Sequence, residues 1–341
     1  MASMDVFNTS AFSMTSLTGT VEKMDYRPQL LGQLGIFDPM PVRTRAVFVE
    51  RRHDTLALIP DSPVGAPPAE LENSKRDAVP LKTTRLAKSF TLYAEEVQGI
   101  RAMGSETEMQ QVQSEYLRRL GRIREDMELT HEYHRLGALQ GTLLDADGVT
   151  VINDYFTTFG VSPPAAVDFA LGGTGTNVRQ KCQDITRSMA RSARGSFTPA
   201  TTVHALCGDT FFDMLIDHPN VRETYKNWAA AADLRENVAF QAFTYGGITF
   251  HNYRGTDDQT TVAIPTDEAK FFPVGARDVF KVAYAPAEFE AFVNTLGRPV
   301  YALNIPDRDR GAWVRGELYS YPLYFCQRPD VLRKAEAQAG T

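Results

Sequence analysis

The sequence lacks long apolar runs and cysteine motifs. No hydrophobic run approaches the roughly eighteen residues that a membrane-spanning helix needs, so we expect no membrane contact. The first twenty residues, MASMDVFNTSAFSMTSLTGT, have neither a basic n-region nor an apolar core, and we expect no signal peptide. The cysteines are widely spaced, with no C-x-x-C and no histidine at metal-ligand spacing. Cys182, Cys207 and Cys326 are therefore expected to be reduced thiols.

Positive charge is also scarce. The 36 Lys and Arg residues do not balance the 42 Asp and Glu residues, and the formal net charge is −6. Because a tight nucleic-acid binder depends on a basic footprint, we expect any contact with DNA to be weak. The 341 residues are 43% hydrophobic and 23% charged, which excludes disorder for most of the chain and allows two or three domains.

Nucleotide-binding motifs are incomplete. The glycine-rich segment 172–177, GGTGTN, follows an apolar run and opens a helix, as a phosphate-binding loop does. The third glycine of the dinucleotide fingerprint is replaced by Val178, and the Lys-Ser/Thr of a P-loop is missing. A turn with Thr176 or Asn177 as helix N-cap is the better interpretation.

The histidines form no recognisable catalytic or metal motif. His131 and His134 flank Glu132 in HEYH, which lacks the i, i+4 spacing of a zinc-protease helix, and we expect both rings to be solvated. The other histidines lie in separate elements, and no nucleophile pattern accompanies them. The sequence thus predicts no enzyme, no cofactor and no metal site.

Residues 1–43 contain many helix and strand breakers. Pro28, Gly32, Gly35, Pro39 and Pro41 exclude a long helix or a central strand, although the leucines between them favour burial. We therefore predict an extended arm that lies along another surface. Within it, residues 1–15 are expected to be disordered.

Residues 44–94 are predicted to form an extended two-stranded ribbon with a tip rich in proline and glycine. The tip is longer than a tight hairpin requires, and basic residues cluster on the returning strand. The ribbon is either a solvated flap or, as we favour, a clasp between subunits. The candidate assembly-interface residues are Pro60, Pro63, Gly65, Pro67, Pro68, Lys75, Arg76, Lys82, Arg85 and Lys88.

A single long helix is predicted over residues 105–141. Ser105 and Glu108 form a capping box at its start. One apolar stripe follows at steps of three and four residues, which indicates a helix that covers a sheet with one face. A coiled coil is the rival, but Gly121 and the loss of a strict period weaken it. The predicted packing residues are Met109, Val112, Tyr116, Leu120, Ile123 and Met127.

The sequence after the long helix predicts short strands and helices. Asp147-Gly148 and Gly246-Gly247 are typical hairpin turns. A second amphipathic helix is predicted from Val178 to Gly195, followed by an α+β domain over about 200–305. The basic residues of that helix either form a solvated face, pair with an acidic neighbour or contact phosphates loosely. These residues are Arg179, Lys181, Arg187, Arg191 and Arg194.

The order of these segments resembles the major capsid protein E family of tailed bacteriophages, the lambda-type head proteins. The motifs that carry the resemblance are PVGAPP in the ribbon tip, the basic return strand, AEEVQGIR, GALQGTLLDADGVTVINDYFTTFG after the long helix, and ELYSYPLYFCQRPDVL near the end. The resemblance runs from about Leu30 to Leu332. Each motif alone is weak, but their common order is specific.

The resemblance implies an α+β chain with the Hong Kong 97 phage-type capsid fold. The domains expected from it are an N-terminal arm at 1–43, an extended β-ribbon loop at 44–94, a peripheral domain at 95–199 with a spine helix at 105–141, an axial domain at 200–305, and C-terminal strands at 306–341 that return to the peripheral domain.

The implied function is that of a major capsid protein in the virion, assembled in the host cytoplasm. It would form hexamers and pentamers of an icosahedral head around double-stranded DNA. The expected partners are other copies of the chain, a decoration protein, a portal and a separate scaffold. The alternatives are a bacterial nanocompartment shell with the same fold and, more distantly, a soluble nucleotide-dependent enzyme that uses segment 172–177.

Overall fold

A computed structural model describes residues 7, 12–24, 29–52, 76–99, 108–173, 175–224, 242–253 and 262–338. The helices are α1 Met14–Glu22, α2 Leu30–Gln33, α3 Ala94–Gly99, α4 Glu108–Gln140, α5 Tyr155–Thr158, α6 Val178–Ser192 and α7 Asp209–Asp217, and residues 219–224 are also helical. The first strands are β1 Asp38–Pro41, β2 Ala46–Arg52, β3 Arg76–Lys82, β4 Leu86–Tyr93, β5 Thr142–Leu144, β6 Val151–Asp154, β7 Val167–Asp168 and β8 Thr202–Cys207. The later strands are β9 Ala242–Tyr245, β10 Ile248–Asn252, β11 Glu268–Val274, β12 Phe280–Tyr284, β13 Tyr301–Pro306, β14 Trp313–Ser320, β15 Pro322–Cys326 and β16 Arg333–Glu336.

The described strands form five sheets. The largest has six strands in the order β7-β16-β11-β8-β10-β9. Two sheets have three strands, β13-β14-β4 and β1-β12-β15, and two are hairpins, β2-β3 and β5-β6. Both predicted turns lie in antiparallel hairpins, where Gly148, Gly246 and Gly247 take the positive φ that favours glycine.

The long helix α4 connects the sheets. Its 33 residues span about 50 Å at 1.5 Å per residue. Its first half packs on the β13-β14-β4 sheet, and its second half reaches β15 and the β5-β6 hairpin. The predicted helix is confirmed from Glu108 onward, while the capping residue Ser105 lies outside the described ranges. Among the described residues, no helix has the length and apolar character that crossing a membrane requires.

The six-stranded sheet is covered by helices on one face. Apolar side chains of α6 and α7 fill a core with Val203, Phe250 and Phe271 of the sheet. The opposite face contributes Leu206 and Phe272 to a second core, which also holds the end of α4. The three cysteines are free and buried, and burial raises the pKa of the Cys182 thiol to about 12.

The N-terminal segment differs from the predicted extended arm. It forms the nine-residue helix α1, which packs against β13 and α4 of the same chain. Phe7 and Phe12 are buried beside Tyr116, so the part of residues 1–15 that the structure describes is packed against the core. Helix formation is possible because Pro28 and the later breakers all follow Glu22.

The predicted return strand is two strands in two sheets. β3 pairs with β2, whereas β4 pairs with β14 across the full length of both strands. The change occurs at residues 83–85, where the N–H of Thr83 donates to Arg45 O and that of Thr84 donates to Pro322 O. These two bonds turn the chain from the ribbon into the sheet under α4.

The predicted domain boundaries do not follow the hydrophobic cores. Helix α6, assigned to the 95–199 unit, packs on the six-stranded sheet. Strand β16, assigned to the returning C-terminal strands, pairs with β11 in that same sheet. Strands β12 and β13, assigned to the 200–305 unit, belong to the two three-stranded sheets. The chain therefore passes between the six-stranded sheet and the three-stranded sheets more often than a division into consecutive segments allows.

Candidate assembly surfaces

The base of the ribbon is fixed to its own subunit by one face. Val47, Val49 and Leu81 are buried among side chains of α4, the β5-β6 hairpin and β15. β2 and β3 pair antiparallel from Ala46 opposite Lys82 to Arg52 opposite Arg76. Because strand side chains alternate between faces, the other face of the ribbon points away from this core.

That outward face carries exposed apolar groups. Phe48 is 67% exposed, and it stands directly opposite Pro80, which is also exposed. Phe48 and Pro80 thus leave apolar surface in contact with solvent at the base of the ribbon.

The basic candidates are placed differently from one another. Arg85 pairs with Glu288, with a nitrogen–oxygen distance of 2.9 Å, and Arg45 holds the other oxygen of that carboxylate at 2.9 Å. Lys88 pairs with Asp126 of α4 at 2.6 Å. The side chain of Lys82 is exposed and has no hydrogen-bond or ion-pair partner among the described residues.

The side chains of the other interface candidates lie outside the part of the chain that the structure describes. Arg76 contributes the first residue of β3, where it stands opposite Arg52. The tip candidates lie outside the described ranges; they are Pro60, Pro63, Gly65, Pro67, Pro68 and Lys75.

The predicted stripe of α4 faces the β13-β14-β4 sheet. Tyr116 and Leu120 are fully buried, and Ile123 and Met127 are nearly so. They share a core with α1 and with the inward side chains of the sheet. The Tyr116 hydroxyl lies 3.2 Å from Asn304 Oδ1, and burial raises its pKa. The side chains of Met109 and Val112 lie outside the described set.

The prediction that His131 and His134 are solvated is wrong. They are 1% and 2% exposed, and Glu132 between them is 0% exposed. His131 Nε2 lies 3.0 Å from Ser320 Oγ, and burial lowers the pKa of His134 to about 3, so that ring is neutral near pH 7. The second half of α4 is buried on several sides, which a single apolar stripe does not reveal.

Glu132 connects the long helix to the N-terminal segment. Its carboxylate oxygens accept hydrogen bonds from the backbone N–H of Leu31 at 2.8 Å and of Gly32 at 3.1 Å. These N–H groups open the short helix α2, where no backbone partner is available to them. Tyr253 OH also donates to Glu132, at 3.4 Å. Glu132 thus joins three separate parts of the chain.

Arg135 supplies the positive charge for this buried cluster. Its guanidinium lies 2.7 Å from Glu128 and 3.3 Å from Glu132, and it stacks 5.2 Å from the centre of the Tyr324 ring. Burial alone would raise the pKa of Glu128, but His131 and Arg135 lower it to about 2. At Glu132 burial outweighs its partners and raises the pKa, so Glu128 and Arg135 form the firmly charged pair of the cluster. The hydrogen bonds of the cluster connect α4 to β15 and to the N-terminal segment.

The glycine-rich segment serves a structural role. Asn177 Oδ1 accepts a hydrogen bond from Gln180 N at 3.1 Å and caps α6, as predicted for that position. Thr176 Oγ1 donates to Ala170 O at 2.9 Å within the turn. In the described ranges no three His, Cys, Asp or Glu side chains are placed to hold a metal ion.

The chain matches one protein family over nearly its whole length. The family described as phage major capsid protein E matches residues 13–337, and the chain belongs to it. The predicted family is thereby confirmed. It is a family of structural proteins that assemble with copies of themselves into the virion shell, and not of enzymes.

Individual relatives agree with this assignment. The chain is 25% identical to the major capsid protein of Salmonella phage Felix O1, over 97% of each chain. It is 27% identical to the major capsid protein of Pseudomonas phage KPP10, over 87% of this chain and 89% of the relative. Among solved structures, a putative capsid protein of an E. coli CFT073 prophage covers 95% of this chain with a TM-score of 0.56 and 15% identity. The predicted α+β capsid fold is confirmed.

Proposed function

We propose that this chain is the major capsid protein of a tailed phage. It assembles as hexamers and pentamers into an icosahedral head that encloses double-stranded DNA. The observation that carries the proposal is the family match over residues 13–337, and the projecting ribbon with its uncovered Phe48 supports it. The same match favours a phage head over a nanocompartment shell.

The domain roles follow the fold. The body formed by the β13-β14-β4 sheet and α4 acts as the peripheral domain, and the body around the six-stranded sheet acts as the axial domain. The ribbon base then leaves the peripheral body with its outward face available to a neighbouring subunit. A portal, a separate scaffold and a decoration protein are the remaining partners of such a head, and DNA is contacted only weakly.

Ribbon truncation tests the assembly role. Because Arg52 and Arg76 stand opposite each other, a two-residue Asn-Gly turn can replace residues 53–75 and preserve the strand pairing. The truncated protein should remain a folded, soluble subunit by circular dichroism and should form no closed shells by electron microscopy. A truncated protein that forms shells of normal yield would contradict the clasp role.

A matched variant tests the base of the ribbon. Replacing Phe48 by serine removes the exposed aromatic group without disturbing the buried face that holds Val47 and Val49. We expect unchanged subunit stability and a lower yield of shells. Equal shell yields for this variant and the wild type would remove Phe48 from the proposed interface.

A further inference from the structure

The chain enters the ribbon beside the loop that follows β12. β1 and β12 pair in parallel, with Pro41 opposite Tyr284, so both strands end at the same edge of their sheet. The chain then continues from β1 to Arg45, which directly precedes β2, and from β12 to Glu288. Each of these two residues lies four positions beyond its strand. The parallel pairing therefore brings them together, and their side chains form an ion pair.

The chain also leaves the ribbon at this point. After β3 it turns at residues 83–85 into β4, and Arg85 directly precedes that strand. Arg85 donates to Glu288 Oε1 from Nη2 at 2.9 Å and from Nε at 3.2 Å. Arg45 Nη2 donates to the other oxygen, Oε2, at 2.9 Å. One carboxylate thus contacts both the entry to the ribbon and the exit from it.

Glu288 lies on a segment that is fixed to the rest of the subunit. Shortly before it, the N–H of Ala285 donates to Tyr321 O at 3.0 Å. Directly after it, the ring of Phe289 packs edge-on against that of Tyr319, with centroids 5.0 Å apart. The chain is anchored on both sides of Glu288, so the carboxylate is a fixed acceptor for the two arginines.

The two guanidinium groups lie over neighbouring aromatic rings. Arg45 is 5.2 Å from the centre of the Tyr321 ring, and Arg85 is 5.1 Å from the centre of the Tyr319 ring. A guanidinium that stacks on a ring still donates hydrogen bonds from its edge. The hydrogen bonds from Arg45 and Arg85 lower the pKa of Glu288, so the carboxylate is charged at neutral pH.

These contacts are better suited to orienting the ribbon than to stabilising the subunit. The side chains of Arg45, Arg85 and Glu288 are 45%, 49% and 35% exposed, and ion pairs exposed to this degree are weak in water. The buried side chains of Val47 and Leu81 already hold the base of the ribbon in a hydrophobic core. What Glu288 adds is a common acceptor for the entry and the exit.

We propose that Glu288 is a positioning residue that fixes the direction in which the ribbon leaves the rest of the subunit. Without the carboxylate, Arg45 and Arg85 lose their shared partner, and their like charges repel each other. The ribbon then takes a range of directions, and its outward face no longer meets a neighbouring copy in one place. The effect on assembly rests on the proposed function, whereas the effect on the free subunit does not.

Hydrogen exchange in the free subunit tests the positioning. The Thr83 N–H, at the exit, donates to Arg45 O, at the entry, at 3.1 Å. In Glu288→Ala, exchange at this amide should accelerate at least about threefold, while the unfolding midpoint in urea stays close to that of the wild type. Glu290→Ala is the matched control, because Glu290 is exposed two positions further along, and it should change neither quantity.

Further variants test whether the three side chains act as a unit. Arg85→Ala should accelerate exchange at Thr83 in the wild-type background and add little in the Glu288→Ala background, because the partner is already gone. Glu288→Gln should lie between the wild type and Glu288→Ala, since its amide oxygen accepts a hydrogen bond but carries no charge. Equal effects of Arg85→Ala in both backgrounds would show that the arginine acts independently of Glu288 and would refute the proposal.

Electron microscopy gives the readout on assembly. At a protein concentration where the wild type and Glu290→Ala form regular shells, Glu288→Ala should form fewer closed shells and more irregular ones. A merely stabilising residue would lower the urea midpoint and the shell yield together, without irregular shells.

The proposal is overturned by either of two results. Wild-type exchange at Thr83 in Glu288→Ala would show that the carboxylate does not hold the entry and the exit. Regular shells at wild-type yield, despite accelerated exchange, would show that assembly does not depend on this positioning. A wild-type protein that forms no shells would instead contradict the proposed function, and the exchange experiment would still decide the role of Glu288 in the subunit.

Discussion

Glu132 is expected to hold the N-terminal segment on the long helix. Replacing it by alanine removes the acceptor of two backbone N–H groups, those of Leu31 and Gly32, and leaves Arg135 with one carboxylate partner instead of two. Each hydrogen bond to a charged group contributes about 1.5–3 kcal/mol. Breaking a buried ion pair by removing one partner costs about 3–5 kcal/mol. Since these contributions overlap, we expect the free energy of unfolding to fall by about 3–5 kcal/mol.

Two measurements check this expectation. The unfolding midpoint in urea gives the loss of stability, and amide hydrogen exchange gives its location. Exchange at the amides of Leu31 and Gly32 should accelerate more than about tenfold, because their acceptor is gone. Glu125→Ala is the matched control on the same helix, where the side chain is exposed and the change should stay within about 0.5 kcal/mol.

The outcome can refute the reasoning directly. If Glu132→Ala and Glu125→Ala give the same urea midpoint, and the two amides exchange as in the wild type, then Glu132 does not hold the arm. Glu132→Gln should fall between the wild type and the alanine variant, because it keeps an acceptor oxygen but loses the charge that pairs with Arg135.

Three further predictions follow from burial and charge. Leu120→Asp places a carboxylate in the core under the long helix and should cost about 3–5 kcal/mol, whereas Glu125→Ala should be nearly neutral; equal urea midpoints would refute the assigned face. Burial lowers the pKa of both His204 and His251, that of His251 to about 4, so the unfolded state binds more protons below pH 6.5. Stability should therefore fall as the pH drops from about 6.5 toward 4, and His251→Gln should weaken that dependence in urea titrations at each pH. DNA binding by the free subunit should be weak and should vanish at moderate salt, given the net charge of −6; salt-resistant retention on a filter would contradict this.

Local patterns predicted much of the secondary structure. The steps of three and four residues from Tyr116 to Met127 identified the face of α4 that packs on a sheet, since a helix repeats every 3.6 residues. Asp147-Gly148 and Gly246-Gly247 predicted their hairpins because their glycines take a left-handed conformation without strain. These signals are contained within a few residues and need no knowledge of the rest of the chain.

Contacts between distant residues could not be predicted in the same way. His131 and His134 look solvated in the sequence because polar residues usually face water. The burial of this part of α4 depends on Leu31, which is 101 positions from Glu132, and on Ser320, which is 189 positions from His131. The division of the return strand at residues 83–85 likewise depends on partners in β2 and β14, and no proline or glycine marks it.

A single subunit does not reveal which exposed residues of the ribbon contact a neighbouring copy. Phe48 and Lys82 are exposed in one subunit, while Arg85 and Lys88 pair within it. The sequence pattern of the ribbon cannot distinguish a side chain that is free for a neighbouring copy from one that is paired within its own subunit. In both cases a long side chain stays partly in water.

Electron microscopy of the purified full-length protein tests the central claim most directly. We predict closed icosahedral shells built from hexamers and pentamers, with the ribbon of each subunit lying on a neighbour. A protein that remains monomeric, or that forms only small open oligomers across concentrations and ionic strengths in the presence of its scaffold, would contradict the assignment as a shell-forming capsid protein.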